Sequence, residues 1–156
     1  MGARTRRCRV ALVCSSGGHL TQLLALRQAW SDVDHFWVTF GTEDARSLLR
    51  GERVYWGHHP TNRNIPNLLK NTLLAIRILS RERPSIIIST GAAVAIPFFW
   101  LARLLGSTTV FIEVIDRFES ATITGRVVTP VASHVLVQWP EQQTIYRRST
   151  LIGPVL

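Results

Sequence analysis

Cysteine, lysine and acidic residues are all scarce in this 156-residue sequence, and the shortages exclude whole classes of protein. The two cysteines, Cys8 and Cys14, cannot build a disulfide framework and lack metal-ligand spacing, which favours a reducing compartment. No other cluster of residues requires a metal. Long apolar runs are missing too: the longest uncharged one, Ala92–Ala102, has 11 residues, too few to cross a bilayer. The N-terminus carries Arg4, Arg6, Arg7 and Arg9 but no apolar core beyond Val10–Cys14, so no signal peptide is read. Arg6 stands where a myristoylation signal needs Ser or Thr. Lys70 is the single lysine, and 18 basic residues against 10 acidic ones give a net charge of +8. A balance of that size fits nucleic acid, an anionic membrane surface, a phosphorylated substrate or simply a solvated surface.

Apolar residues, by contrast, make up 46% of the chain, enough for one domain over residues 1–156 with a basic tail at 1–8. Strand-like and helix-like segments alternate throughout. Strands are predicted over 9–14, 35–40, 53–56, 85–89, 109–113, 133–138 and 150–152, and helices over 19–30, 42–50, 65–83, 92–105, 123–131 and 140–147. Continuous apolar strands such as Ser85-Ile-Ile-Ile-Ser89, alternating with helices, predict a doubly wound α/β domain: a Rossmann-like parallel sheet covered on both faces.

Two helices carry more apolar surface than a sheet needs. In the segment 65–83, the stripe Ile65, Leu69, Leu73, Ile76 and Leu79 is expected to pack on the sheet. Lys70, Arg77 and Arg81 gather on another side with Leu74 and Ile78 interleaved, the composition of a membrane-surface helix. The alternative is a well-buried helix whose arginines reach solvent along their stems. The segment 92–105 is apolar all round, which suits a central helix, a membrane contact or a partner contact.

Four short stretches could carry chemistry. Val10-Ala-Leu-Val-Cys-Ser-Ser-Gly-Gly-His19 reads as a buried strand, a glycine turn and a helix N-terminus, an arrangement suited to an anion. A dinucleotide fingerprint is absent, because the glycines are adjacent and the second strand ends in Thr39-Phe40-Gly41 without an acid. No Walker lysine follows either. Ser16, Gly17 and Gly18 at a helix N-terminus still suit a phosphate or diphosphate, with His19 able to donate to it or shuttle a proton; a capping turn with an incidental histidine fits the same residues. Ser89-Thr-Gly91 brings a second glycine turn to the same sheet edge. Glu113 is expected to end the fifth strand there, followed by Asp116 and Arg117, as a base, a sugar-hydroxyl ligand or one half of a Glu113–Arg117 ion pair. Gln138 and Trp139 end the sixth strand, where they could line a cleft or an interface.

In order along the chain, Ser16-Gly-Gly-His-Leu-Thr-Gln22, Ser89-Thr-Gly-Ala-Ala-Val94, Phe111-Ile-Glu113 with Arg117, Thr124-Gly-Arg126, Val137-Gln-Trp-Pro140 and Gly153-Pro154 resemble the membrane-recruiting accessory subunit of two-component UDP-sugar transferases. That family is similar to the N-terminal half of a GT-B glycosyltransferase such as the peptidoglycan GlcNAc-transferase. The resemblance implies binding of a polyprenyl-diphosphate-linked sugar at the cytoplasmic face of a membrane. It also implies a separate partner chain that supplies the C-terminal half and most of the UDP-sugar site, with activity only when the two meet. On this basis Ser16, Gly17, Gly18, Gly91 and Arg117 are expected to hold the diphosphate, and His19 or Glu113 to act as base. UDP-sugar is the co-substrate, with no cofactor, no metal and no nucleic acid. A non-catalytic anchoring module for the partner is the alternative, and a basic nucleic-acid-binding domain a more distant one. Two positions depart from the family: Gln22 where members often have Glu, and Asp116 where a small residue is common. Eukaryotic relatives carry an N-terminal membrane helix; none is read here, which implies a bacterial-type member held by surface helices.

Overall fold

The structure is a computed structural model that describes residues 8–117 and 119–156; the expected basic tail, Cys8 apart, lies outside the described residues. Among the described residues, seven parallel strands form one sheet in the order β3-β2-β1-β4-β5-β6-β7. They are β1 (Arg9–Val13), β2 (Asp34–Phe40), β3 (Val54–Gly57), β4 (Ile86–Ser89), β5 (Thr108–Ile112), β6 (His134–Val137) and β7 (Ser149–Leu151). The helices are α1 (Gly18–Ala25), α2 (Glu43–Leu48), α3 (Ile65–Glu82), α4 (Ala95–Leu105), α5 (Ile123–Val128) and α6 (Pro140–Ile145). The doubly wound expectation therefore holds. The strand order reverses between β1 and β4, which pair through Val10–Ile86, Ala11–Ile87 and Leu12–Ile88. At such a switch point two successive connections leave in opposite directions and open a crevice at the carboxyl edge.

Strand residues alternate between two core layers. Val10, Leu12, Cys14 and Trp37 face Leu20, Leu23, Trp30, Ala45 and Leu49 from α1, α2 and their connections. Ala11, Val13, Phe36, Val38, Ile87 and Phe111 face Ala75, Ile78 and Leu79 of α3, Phe98 and Phe99 of α4, and Val128 of α5. At the amino edge Arg9 donates to Asp34 at 2.6 Å and to Glu82 at 2.9 Å, and Arg53 donates to Asp34 at 2.8 Å. The Tyr55 hydroxyl donates to the buried Glu82 carboxylate.

The orientation of α3 departs from the sequence expectation for four of the five stripe residues, Leu79 alone packing on the core as expected. Ile65, Leu69, Leu73 and Ile76 are 48–69% exposed, while Asn71, Ala75, Ile78, Leu79 and Glu82 are buried. Of the proposed membrane-surface residues, Ile78 is 1% exposed and Leu74 packs against the core, whereas Lys70, Arg77 and Arg81 are exposed. Two polar side chains explain the difference. Asn71 donates to the His58 carbonyl at 2.9 Å and accepts from the His58 amide at 2.8 Å, and Glu82 is held by Arg9 and Tyr55. With their partners inside, these residues bury without the penalty that polarity suggests. At 100° per residue, α3 thus carries a buried arc, an exposed aliphatic arc and then a cationic arc.

The other differences are at element ends. The first helix stops at Ala25 and a 3-10 turn, Arg27–Ala29, replaces its last part. Residues 92–94 belong to the turn before α4, whose predicted cap Gly106 adopts φ +71°. Glu113 and Gln138 each lie one residue beyond a strand end.

A candidate functional site at the carboxyl edge

The chain leaves β1 through Cys14, Ser15 and Ser16 and turns at Gly17, whose φ of +74° suits glycine. Burial pushes the Cys14 thiol up to about 12, so the sulfur at the base of the turn is an inert packing group. Helix α1 begins at Gly18, and its first amides have no intrahelical acceptor. From β4 the chain turns through Thr90, Gly91 and Ala92, the last two at φ +115° and +75°. The Gly91 amide donates to Ser89 Oγ at 2.9 Å.

These two turns touch across the switch point. His19 Nδ1 lies 2.8 Å from the Thr90 carbonyl oxygen, and the Thr90 hydroxyl donates to the His19 carbonyl at 2.8 Å. A carbonyl only accepts, so Nδ1 carries the hydrogen, and in the neutral imidazole Nε2 is the nitrogen left as acceptor. Gly91 is packed so closely that a Cβ there would sit 3.2 Å from His19 Cε1. Beside this contact opens a cleft of about 390 Å³ lined by Gly18, His19, Gln22, Val114, Ile115, Asp116, Arg117 and Thr122. The structure therefore places Gly18, His19 and Arg117 on one cleft, with Gly91 behind the imidazole and Ser16 and Gly17 not among the lining residues.

Glu113 differs from the expected free carboxylate. It is buried, and it accepts from the Val114 amide at 3.0 Å, from the Thr122 amide at 3.4 Å and hydroxyl at 3.2 Å, and from the Tyr146 hydroxyl. Burial foremost, and then this carboxylate, raise the Tyr146 phenol. Among the described residues no Glu113–Arg117 ion pair forms. Gly125 closes over the group: a Cβ there would collide with the Tyr146 hydroxyl and come within 2.9 Å of Glu113 Oε2. Gln138 is likewise not a lining residue. It is 1% exposed and bonds Gln22 and the Glu113 carbonyl, while Trp139 Nε1 donates to the Ile115 carbonyl at 2.8 Å.

Residues 58–155 match the family described as "Oligosaccharide biosynthesis protein Alg14 like". The chain belongs to this family. The match takes in Gly91, Glu113, Arg117 and Gln138 and begins after the glycine turn. Among Alg14 relatives, the human UDP-N-acetylglucosamine transferase subunit ALG14 is 24% identical over 94% of this chain and 82% of its own length. The subunit alg14 of Schizosaccharomyces pombe is 36% identical over 58 residues, 36% of this chain and 28% of its own. Among solved structures, Acinetobacter baumannii MurG superposes with a TM-score of 0.70 at 22% identity, covering 85% of this chain and 42% of that one. A UDP-N-acetylglucosamine 2-epimerase from Rickettsia bellii gives 0.74 at 10% identity, covering 96% and 46%. The fold of this Alg14-like chain is thus the Rossmann-like N-terminal half of a GT-B architecture, and the chain spans less than half the length of these structures.

Three residues that shape the site are not singled out by sequence reasoning: Thr122, Gln142 and Tyr146. The Thr122 hydroxyl caps α5 by accepting from the Gly125 amide at 2.9 Å. Gln142 is the third residue of α6, which starts at Pro140. Both are legible as capping signals, a threonine and a glutamine at the right offsets from a helix start. Tyr146 leaves no such mark.

Proposed function

We propose that this chain is the acceptor-binding half of a two-chain GT-B glycosyltransferase, active in lipid-linked oligosaccharide or polysaccharide synthesis. It takes a polyprenyl-diphosphate-linked sugar at the cytoplasmic face of a membrane and recruits a second chain that holds the UDP-sugar donor. The single observation that carries this is the His19–Thr90 contact, which aims a histidine of fixed tautomer into a cleft shared with Gly18 and Arg117. Names of relatives support the subunit role, since the human and fission-yeast proteins are called UDP-N-acetylglucosamine transferase subunits.

The amides of Ser16, Gly17 and Gly18 and the guanidinium of Arg117 hold the acceptor diphosphate, and Gly91 lets the second turn approach. His19 Nε2 takes the proton of the acceptor hydroxyl as its oxygen bonds to the donor's anomeric carbon and UDP leaves with the bonding pair. Glu113, with its oxygens already occupied by donors, positions the Thr122–Gly125 turn. UDP-sugar is a co-substrate held mainly by the partner chain, and no cofactor or metal is invoked.

Membrane contact is supported by the outer surface of α3, α4 and α5. The exposed Ile65, Leu69, Leu73 and Ile76 lie beside Lys70, Arg77 and Arg81, and Trp100, Leu104 and Ile123 are exposed on the neighbouring helices. An aliphatic arc flanked by cations is the composition of an interfacial helix. No helix among the described residues is long and apolar enough to cross a membrane.

The test is co-expression with donor-binding partners and an assay of sugar transfer to a polyprenyl-diphosphate sugar. Transfer that His19→Ala abolishes supports the proposal. Undiminished transfer by that variant, with altered partner or lipid affinity, identifies a non-catalytic anchoring module instead.

A further inference from the structure

We infer, resting on the reading that the cleft holds an acceptor, that two buried glutamines, Gln138 and Gln142, are positioning residues that set the spacing of its walls. Gln138 Nε2 donates to Gln22 Oε1 at 2.8 Å and to the Glu113 carbonyl at 2.9 Å. Its Oε1 accepts from the Val155 amide at 3.0 Å. One side chain thereby ties α1, the end of β5 and the segment after β7 to the end of β6. Gln142 Oε1 accepts from the amides of Gln138 and Trp139 at 2.8 and 3.2 Å. Its Nε2 donates to the carbonyls of Val114 and Arg117 at 2.9 and 2.8 Å.

The orientation of both amides is dictated by these partners. Backbone carbonyls only accept and backbone amides only donate, so neither glutamine can turn over without opposing like groups. The two are 1% and 0% exposed, so water does not replace a lost bond. Together they fix both sides of the cleft. Gln142 clamps the two ends of the Val114–Arg117 loop, and Gln138 grips α1 one turn below His19. The His19–Thr90 pair holds the same helix from the end of β4, so α1 is braced from the ends of β4 and β6. Removing the donor half of either glutamine should leave the fold standing and let the cleft walls drift apart.

Gln142→Glu and Gln138→Glu make that change at almost constant size. The Oε1 acceptor survives and the two N–H donors are replaced by an acceptor. In the isolated chain, amide exchange of residues 18–22 and 114–117 is expected to speed up at least about tenfold with α3 unchanged. In the assembled enzyme, the acceptor KM is expected to rise at least about tenfold with the donor KM unchanged, as misplaced binding groups require. Uniform exchange across all elements, or unaltered exchange and KM in both variants, overturns the inference. If no wild-type transfer is found with any partner, the proposed function fails while the exchange arm still decides this point. Should the glutamates prevent folding, Gln138→Met and Gln142→Met, which bury no charge, are read by the same two measurements.

Discussion

His19 and Thr90, 71 residues apart in sequence, hold each other by two hydrogen bonds of 2.8 Å, imidazole to carbonyl and hydroxyl to carbonyl. The pair crosses the point where the strand order reverses and fixes which imidazole nitrogen carries the hydrogen. The base role proposed for His19 predicts that His19→Ala lowers sugar transfer with the partner chain by at least about 100-fold. Thr90→Val removes only the returning hydroxyl and should cost about 1 kcal/mol of stability. Transfer assays paired with thermal melts separate the two effects.

Gly91 marks how near the two turns come. Gly91→Ala would force a Cβ to 3.2 Å from the His19 ring and place alanine at φ +115°. Backbone strain of roughly 1–3 kcal/mol is expected, together with a loss of transfer larger than the loss of melting temperature alone explains. Calorimetry beside the transfer assay reads both.

At the opposite edge the Arg9 side chain, helped by Arg53, holds the Asp34 carboxyl below its usual range. Because the folded state has the lower pKa, the stabilisation is present above about pH 4, the unfolded value, and is lost as pH falls through the depressed one. With 37% of the Asp34 side chain exposed, solvent screening limits its size to about 1 kcal/mol or less. Asp34→Asn should lower stability at pH 7 and flatten the denaturant midpoint between pH 4 and 2.

The arcs of α3 give opposite outcomes on one helix. Leu69→Ser with Leu73→Ser should weaken binding to vesicles containing anionic phospholipid several-fold and leave the melting temperature nearly unchanged, since both side chains are already exposed. Ile78→Ala, in the buried arc, should cost about 2–5 kcal/mol without a direct effect on vesicle binding. Vesicle co-sedimentation and urea titration distinguish them.

The parallel sheet is legible because strands buried on both faces, such as Ile86-Ile87-Ile88, need continuous apolar runs that few other structures tolerate. The glycine turns are legible because each follows such a run. The faces of α3 are not, since a 3.6-residue period places two apolar arcs side by side without saying which meets the sheet. The answer lies in Asn71 and Glu82, polar residues whose partners at His58, Arg9 and Tyr55 come from other elements. Gln138 is legible as a strand-end residue and Gln142 as a cap, but not the bonds they make, because a buried amide is defined by backbone groups that only the folded chain assembles. Glu113 reads as an edge carboxylate because nothing nearby in sequence announces Tyr146.

The two core layers share the sheet and no helix. His19 rides on α1 in one layer, and the exposed aliphatic arc belongs to α3 in the other. Mutation can therefore rework the exposed outer surface of α3 while the packing beneath the histidine stays as it was. The two regions meet where Thr90 and Gly91 reach across to the imidazole and where Gln138 reaches Gln22 of α1.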